Sequence, residues 1–246
     1  MYDRPELRPA FDELWSGPRD HLRAAGVEDV PDSLMVLENG LVAFWLRPDL
    51  LPGQTCGYPY RHVLQDHVAL VGTPDFALDG CGPGLYRSAW IVSGDDPRRS
   101  LSDFDGAILA CNDQGSQSGH AAPLVAAERV GLRFGVTRLS GAHVASAWMV
   151  AGDLADIARL DALSWRHIRR DDPWAAGLRV LGWTEPTPGL PFITAVAPNA
   201  PILFDSLACA IEGMPDASRS LLTLRRGVRI DPAAYLAVSD PVGDRR

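Results

Sequence analysis

Apolar positions Leu7, Phe11, Leu14, Leu22 and Ala25 recur at spacings that share one helical face, which predicts a helix over Pro5–Ala25. Gly17-Pro18 falls inside it and predicts a kink or a split, and Gly26 stands where the helix would end. The runs Leu34–Leu37 and Leu41–Leu46 are short and continuous, and their periodicity fits a buried strand or a helix equally. GQTCGYPY then reads as a glycine-rich turn opening a helix near Pro59, and Val68–Gly72 as a buried strand before a loop from Thr73 to Gly84.

Tyr86–Val92, rich in aromatic and β-branched residues, reads as a strand. Ser100-Leu101-Ser102-Asp103 reads as a capped short helix. Further strands are predicted at Ala107–Cys111, Phe134–Arg138, Ile157–Leu160, Leu178–Trp183 and Phe192–Val196. Between them fall helices ending near Arg129 and Gly152 and another over Ala162–Arg170, and the tail from Pro201 holds helices broken by Pro215 and Pro232. Strands alternating with helices predict an α/β protein with largely parallel sheets. No internal repeat, low-complexity segment or Ser/Gly linker divides the chain.

Composition narrows the function classes. The chain has 246 residues, 46% of them hydrophobic, enough for one large domain or two small ones. Its net charge is −8 and every fixed cation is arginine, so an acidic chain without a basic block argues against nucleic acid as a partner. Cys56, Cys81, Cys111 and Cys209 are widely spaced with no CxxC pair, which argues for free thiols and against a zinc knuckle. No apolar run approaches the length of a membrane span. The chain opens MYDRPELRP, without a basic start and apolar core. The expectation is therefore a cytoplasmic protein, or one whose leader lies outside the given start.

Four loops carry candidate chemistry. NDQGSQSGH, Asn112–His120, lies between a predicted strand and a predicted helix, where open α/β sheets bind ligands. Unpaired first-turn N–H groups, Gly115 and Gly119, and the hydroxyls of Ser116 and Ser118 suit an oxyanion. The same residues also suit an ordinary N-cap, and the stretch is neither a Walker loop nor a GxGxxG turn. LSGAH, Leu139–His143, has the same setting, with His143 in the first turn either donating to an anion or capping locally. In Gln54–Tyr58, Thr55 and Tyr58 offer hydroxyls and Cys56 a thiol, with His62 one turn beyond Tyr58. In the stretch ending at Asp161, that carboxylate suits a protonated oxyanion, a ligand amine, or the N-cap of the next helix. Trp148, Trp165 and Trp183 are read as core residues rather than ligand-stacking ones.

In order and spacing, MYDRPE, QTCGYP, YRSAWIV, NDQGSQSG, SGAH, GDLADIARLD and LRVLGWTEPTPGLPFIT resemble the periplasmic solute-binding proteins of phosphate, phosphite and phosphonate ABC transporters. The resemblance covers nearly the whole chain. It implies a two-lobed type II periplasmic-binding fold with mixed sheets, two crossing strands as hinge, and closure on ligand. Lobe 1 would be residues 1–90 plus 184–246 and lobe 2 residues 91–183, with crossings near Val92-Ser93 and Gly182-Trp183. Carried over by motif, the ligand-binding residues would be Tyr2 (with Asp3 as its neighbour), Thr55, Tyr58, Tyr86, Ser116, Gln117, Ser118, Gly119, His143 and Asp161. In this family a strand normally precedes the MYD segment. The family implies a periplasmic location and a permease partner; no cofactor or metal is called for, and a monomer is expected.

The leading reading is therefore a non-catalytic binder of a small phosphate- or phosphonate-type oxyanion. The alternatives are an enzyme on the same fold, with Cys56, His143 and Asp161 as nucleophile or acid–base candidates, and a ligand sensor acting on a partner.

Overall fold

The structure is a computed structural model that describes residues 2, 4–35, 37, 40–195 and 197–242. Asp3, and Val36 and Val196 of the apolar runs, lie outside the described residues. In chain order the elements are α1 (Arg8–Ala24), α2 (Leu41–Trp45), β1 (Gly53–Gln54), α3 (Gly57–Pro59, continuing as a π-type turn Tyr60–Leu64), β2 (Ala69–Asp75), β3 (Leu85–Tyr86) and β4 (Ser88–Ser93). Then come β5 (Ile108–Cys111), α4 (Ala122–Arg129, entered through a π-type turn Gln117–Ala121), β6 (Val136–Leu139), α5 (His143–Ala151), β7 (Ile157–Asp161), α6 (Ala162–Asp171) and β8 (Leu178–Trp183). The chain ends with β9 (Thr187–Pro188), β10 (Phe192–Thr194), α7 (Ala200–Gly213), α8 (Asp216–Leu221), β11 (Arg226–Val228) and α9 (Pro232–Leu236).

Two compact units result, one of Met1–Leu85 with Pro188–Leu236 and one of Tyr86–Thr187 with Ala237–Arg246. The first holds a sheet in the order β1-β10-β2-β11 in which every pair is antiparallel. On one face Val71 packs with Trp15 and Leu22 of α1 and Leu203 and Leu207 of α7. On the other, Ile193 packs with Trp45, Leu50, Tyr60, Leu64 and Tyr235. Pro18 sits inside α1 without splitting it. The ring is buried with Leu14, Trp15 and Leu22, and tertiary packing carries the helix past its missing N–H. Gly26, at φ +79°, ends α1 as expected.

The second unit holds a five-stranded sheet in the order β6-β5-β7-β4-β8. β5 runs parallel to β6 and β7, and β4 is antiparallel to both β7 and β8. Side chains alternate across it. Ala89, Ile91, Ala110, Ala158 and Leu160 face α5 and α6. Trp90, Val92, Leu109 and Ile157 face Phe104, Ala127 and Leu132.

The largely parallel sheets expected from the alternation are therefore confined to β5, β6 and β7. Strand direction is set by the connections. The chain leaves the first unit after β2 and comes back beside it as β10, and it enters and leaves the second unit by neighbouring strands β4 and β8. Two further expectations are corrected. β11 was not foreseen, because Arg226-Gly227-Val228 has no apolar alternation and pairs only as an edge. Trp165 is core, whereas Trp148 is 53% exposed against Trp174 and Trp183 is 41% exposed under Arg87.

Gly72 marks where α7 lies closest to β2. A Cβ there would meet the Phe204 ring edge, with Cε2 at 2.7 Å and the Val228 carbonyl oxygen at 3.2 Å. Arg229 stacks over the same ring at 3.9 Å and limits its retreat. Gly72→Ala is expected to cost about 1–3 kcal/mol of stability by overpacking, read as a lower urea midpoint at an unchanged m-value.

Candidate functional site

β5, β6 and β7 run parallel, so their carboxyl ends share one edge of the second unit's sheet. The loops leaving that edge are Asn112–Ser116, Ser140–Ala142 and the junction at Asp161. Two backbone bonds tie the first two together, Ser140 N–H to the Cys111 carbonyl at 2.8 Å and Gly141 N–H to the Asn112 carbonyl at 3.0 Å. Ser140 Oγ also bonds Ser146 Oγ at 2.7 Å, which anchors the loop to α5.

Ser116 is the N-cap of the π-type turn, and its Oγ accepts from Gly119 N–H at 3.0 Å. Its carbonyl accepts from both His120 and Ala121, which widens the first turn. Gly119 cannot carry a side chain here, since a Cβ would strike the Asn112 carboxamide. The cap reading of this loop is therefore correct, and it leaves Ser118 available. Ser118 Oγ lies 3.5 Å from Ser116 Oγ and 3.0 Å from His143 Nε2. Ser116, Gln117 and Ser118 are all buried.

His143 is the first residue of α5. Its Nε2 also lies 3.4 Å from Asp161 Oδ2. Asp161 caps α6 through its other oxygen, which accepts from Ser164 N–H at 2.9 Å. Burial lowers the His143 pKa, against the opposing pull of the Asp161 carboxylate, so the ring is held neutral. The structure thus gathers Ser116, Gln117, Ser118, Gly119, His143 and Asp161 at one edge. One imidazole nitrogen meets both the serine and the aspartate. A Ser-His-Asp relay needs the two ring nitrogens to divide those partners, so this arrangement is a polar cradle and lacks the geometry of a nucleophile.

Tyr86, in the same unit, is buried. Tyr2, Thr55 and Tyr58 belong to the first unit. Tyr2 packs edge-on against Phe76, Thr55 is fully buried, and Tyr58 stacks on His62 at 4.3 Å between ring centroids. Cys56 is a buried cysteine of that unit. None of the four cysteines is in a disulfide, and burial pushes the Cys111 thiol up to about 11. Among the described residues no group of three His, Cys, Asp or Glu is placed to hold a metal, and no helix is long and apolar enough to cross a membrane.

A recess of about 350 Å³ opens at the opposite edge of the sheet, among Ser93, Asp96, Arg98, Ile108 and Asp156. Arg98 fills its chemistry by pairing with Asp96 at 2.7 Å and Asp156 at 2.9 Å. It lies at the amino ends of β5 and β7, away from the loops that α/β sheets use for ligands.

Residues 56–216 match the family model described as "ABC transporter, phosphonate, periplasmic substrate-binding protein". The chain belongs to this family. It is accordingly a solute-binding protein of an ABC transporter system, in a family of periplasmic binders rather than enzymes. Solved structures agree in fold. PhnD1 from Prochlorococcus marinus, in complex with methylphosphonate, superposes with a TM-score of 0.73 at 14% identity, over 96% of this chain and 92% of that one. A binding protein component of an ABC phosphonate transporter from Pseudomonas aeruginosa gives 0.69 at 15%, over 95% and 80%. XAC2383 from Xanthomonas citri, bound to chloride, gives 0.69 at 16%, over 94% and 90%. No curated protein sequence matches the chain significantly. The fold is thus the mixed α/β architecture of type II periplasmic binding proteins.

One residue of this edge was missed from the sequence. Arg159 is fully buried in β7. The signal was present: a cation at the centre of IARLD, in a strand whose neighbours on both sides are apolar.

The neutral His143 gives a pH test. Its folded pKa lies below the unfolded value of about 6.5. The unfolded chain therefore takes up a proton that the folded one resists, and the stability this residue contributes is present above the unfolded pKa and lost as pH falls. The stability advantage of wild type over His143→Gln should shrink between about pH 8 and pH 5, measured by urea denaturation. An advantage that grows on acidification would show a charged ring paired with Asp161.

Proposed function

We propose that this protein captures a small phosphonate-type oxyanion, and that Ser116, Gln117, Ser118, Gly119, His143 and Asp161 grip it, with Tyr86 beside them. The observation that carries the reading is the chain of contacts Ser116–Ser118–His143–Asp161 at the entry of a helix. Hydroxyls and first-turn N–H groups donate to oxyanion oxygens without a surface cation. Asp161, the carboxylate beside His143, can accept a hydrogen bond from an amine on the ligand and so favours an amine-bearing phosphonate. Tyr2, Thr55 and Tyr58 are carried as further ligand residues on the motif resemblance alone. We place the protein's work in the periplasm, as a monomer delivering ligand to a permease; fractionation and light scattering test both points.

A thermal-shift series against phosphate, phosphite, methylphosphonate, 2-aminoethylphosphonate, sulfate and acetate tests the ligand class. Ligand at 100 times its Kd stabilises by about 2.7 kcal/mol, or roughly 5–10 °C for a chain of this size. A shift confined to phosphorus oxyanions supports the reading, and a shift only with carboxylates overturns it. Ser118→Ala should weaken binding of the active phosphonate by about 1–3 kcal/mol, the worth of one charge-assisted hydrogen bond; unchanged affinity by calorimetry would remove Ser118 from the site.

A further inference from the structure

Among the described residues Arg159 is the largest fully buried side chain, and none of its three guanidinium nitrogens has a hydrogen-bond partner there. It forms no ion pair among the described residues. The ring of Trp90, its cross-strand neighbour, lies 4.5 Å from the guanidinium carbon. Buried charges are ordinarily paired and hydrogen-bonded, because water cannot reach them. Desolvation pushes the Arg159 pKa down to about 9, with the nearby Tyr86 hydroxyl acting in the opposite sense, so the group keeps its proton at neutral pH. A guanidinium whose three nitrogens all lack a partner among the described residues calls for an acceptor from outside the protein.

Its place in the fold says where that acceptor comes from. Alternation along β7 puts Ile157, Arg159 and Asp161 on one face, and Ile157 faces the α4 side through Leu109 and Ala127. On that side β7 packs directly against the Gln117–Ala121 turn. Arg159 is two residues from Asp161, near the carboxyl end of the strand, and within electrostatic reach of Tyr86. The charges of this edge decide the rest. His143 is neutral, and Asp161 brings a negative charge to within 3.4 Å of its ring. Hydroxyls and peptide dipoles alone would then hold an anion beside a carboxylate.

We propose that Arg159 is the buried countercharge of this site, donating to the second negative charge of a phosphonate dianion whose oxygens are held by Ser116, Ser118 and the first-turn N–H groups. The inference rests on the phosphonate reading and adds a charge rule to it: the site selects free phosphonates over their monoesters. Trp90 backs the guanidinium and fixes the direction of its donors.

The test is calorimetric titration of wild type and Arg159→Met with methylphosphonate and with its monomethyl ester, which carries a single charge, above the second ionisation of the free acid. Wild type should prefer methylphosphonate. Arg159→Met should bind methylphosphonate about 10- to 100-fold more weakly, the range for hydrogen bonds to a charged group, and the ester within about threefold of wild type. Ligand-free Arg159→Met should melt at or above the wild-type temperature, because an unpaired buried charge has been replaced by an apolar chain of similar length. Retained tight binding of methylphosphonate overturns the proposal. So does a lower melting temperature with both ligands weakened in parallel, the mark of a purely structural arginine. If Arg159→Met does not fold, Arg159→Lys carries the test: it should keep the preference for the dianion, and equal binding of the two ligands overturns the proposal. Wild type that binds neither molecule overturns the phosphonate reading itself, whereas wild-type binding that survives in the variants overturns this inference alone.

Discussion

The bond from Gly119 N–H to Ser116 Oγ is the interaction on which the candidate site depends. It commits Ser116 to its own helix and turns the chain so that Ser118 points at His143. The turn is of the wide π type: the Ser116 carbonyl accepts from His120 and Ala121 N–H while its hydroxyl accepts from Gly119 N–H. The rest follows from burial. Polar groups placed below the surface must find partners, and here each hydroxyl, ring or carboxylate reaches the next, from Ser116 through Ser118 and His143 to Asp161. Asp161 closes the series by capping α6. A structural cap at each end thus holds still the groups that a ligand would meet.

Much of this was legible in the sequence because it is local. Strand-to-helix junctions at Cys111, Leu139 and Asp161 were visible as apolar runs ending in Ser, Gly, Asn or Asp. The Ser100–Asp103 signature became a capping box, with Ser100 N–H bonded to Asp103 Oδ2 at 2.9 Å. His143 at the head of its helix and Asp161 at an N-cap were both foreseen. What local pattern does not encode is which strands meet. β10 is antiparallel to β2 because of a long excursion through the second unit, and no window of residues around Phe192 records that. A split at Pro18 is likewise absent, since packing supplied by residues nearly two hundred positions away keeps α1 continuous.

Arg159 is the instructive omission. Composition treats an arginine as solvated by default, and its neighbours in sequence, Ala158 and Leu160, are ordinary strand residues facing the other way. Only the sheet order, with β5 on one side of β7 and β4 on the other, shows that the position lies in the interior. The resemblance carried Ser116, Ser118, His143 and Asp161 by motif, and although its segment GDLADIARLD spans β7, it assigned no role to Arg159.

The second unit begins and ends on neighbouring strands, with Ala89 beside Trp183 in the register of β4 and β8. The residues of the polar cradle, Ser116 to Gly119, His143 and Asp161, all lie between those two points of the chain. In genetic terms it is a cassette. An insertion bounded by adjacent strands can be exchanged as a block, so recombination at Leu85 and Pro188 would replace the cradle without rewriting the core that Trp15, Leu203 and Ile193 build on either side.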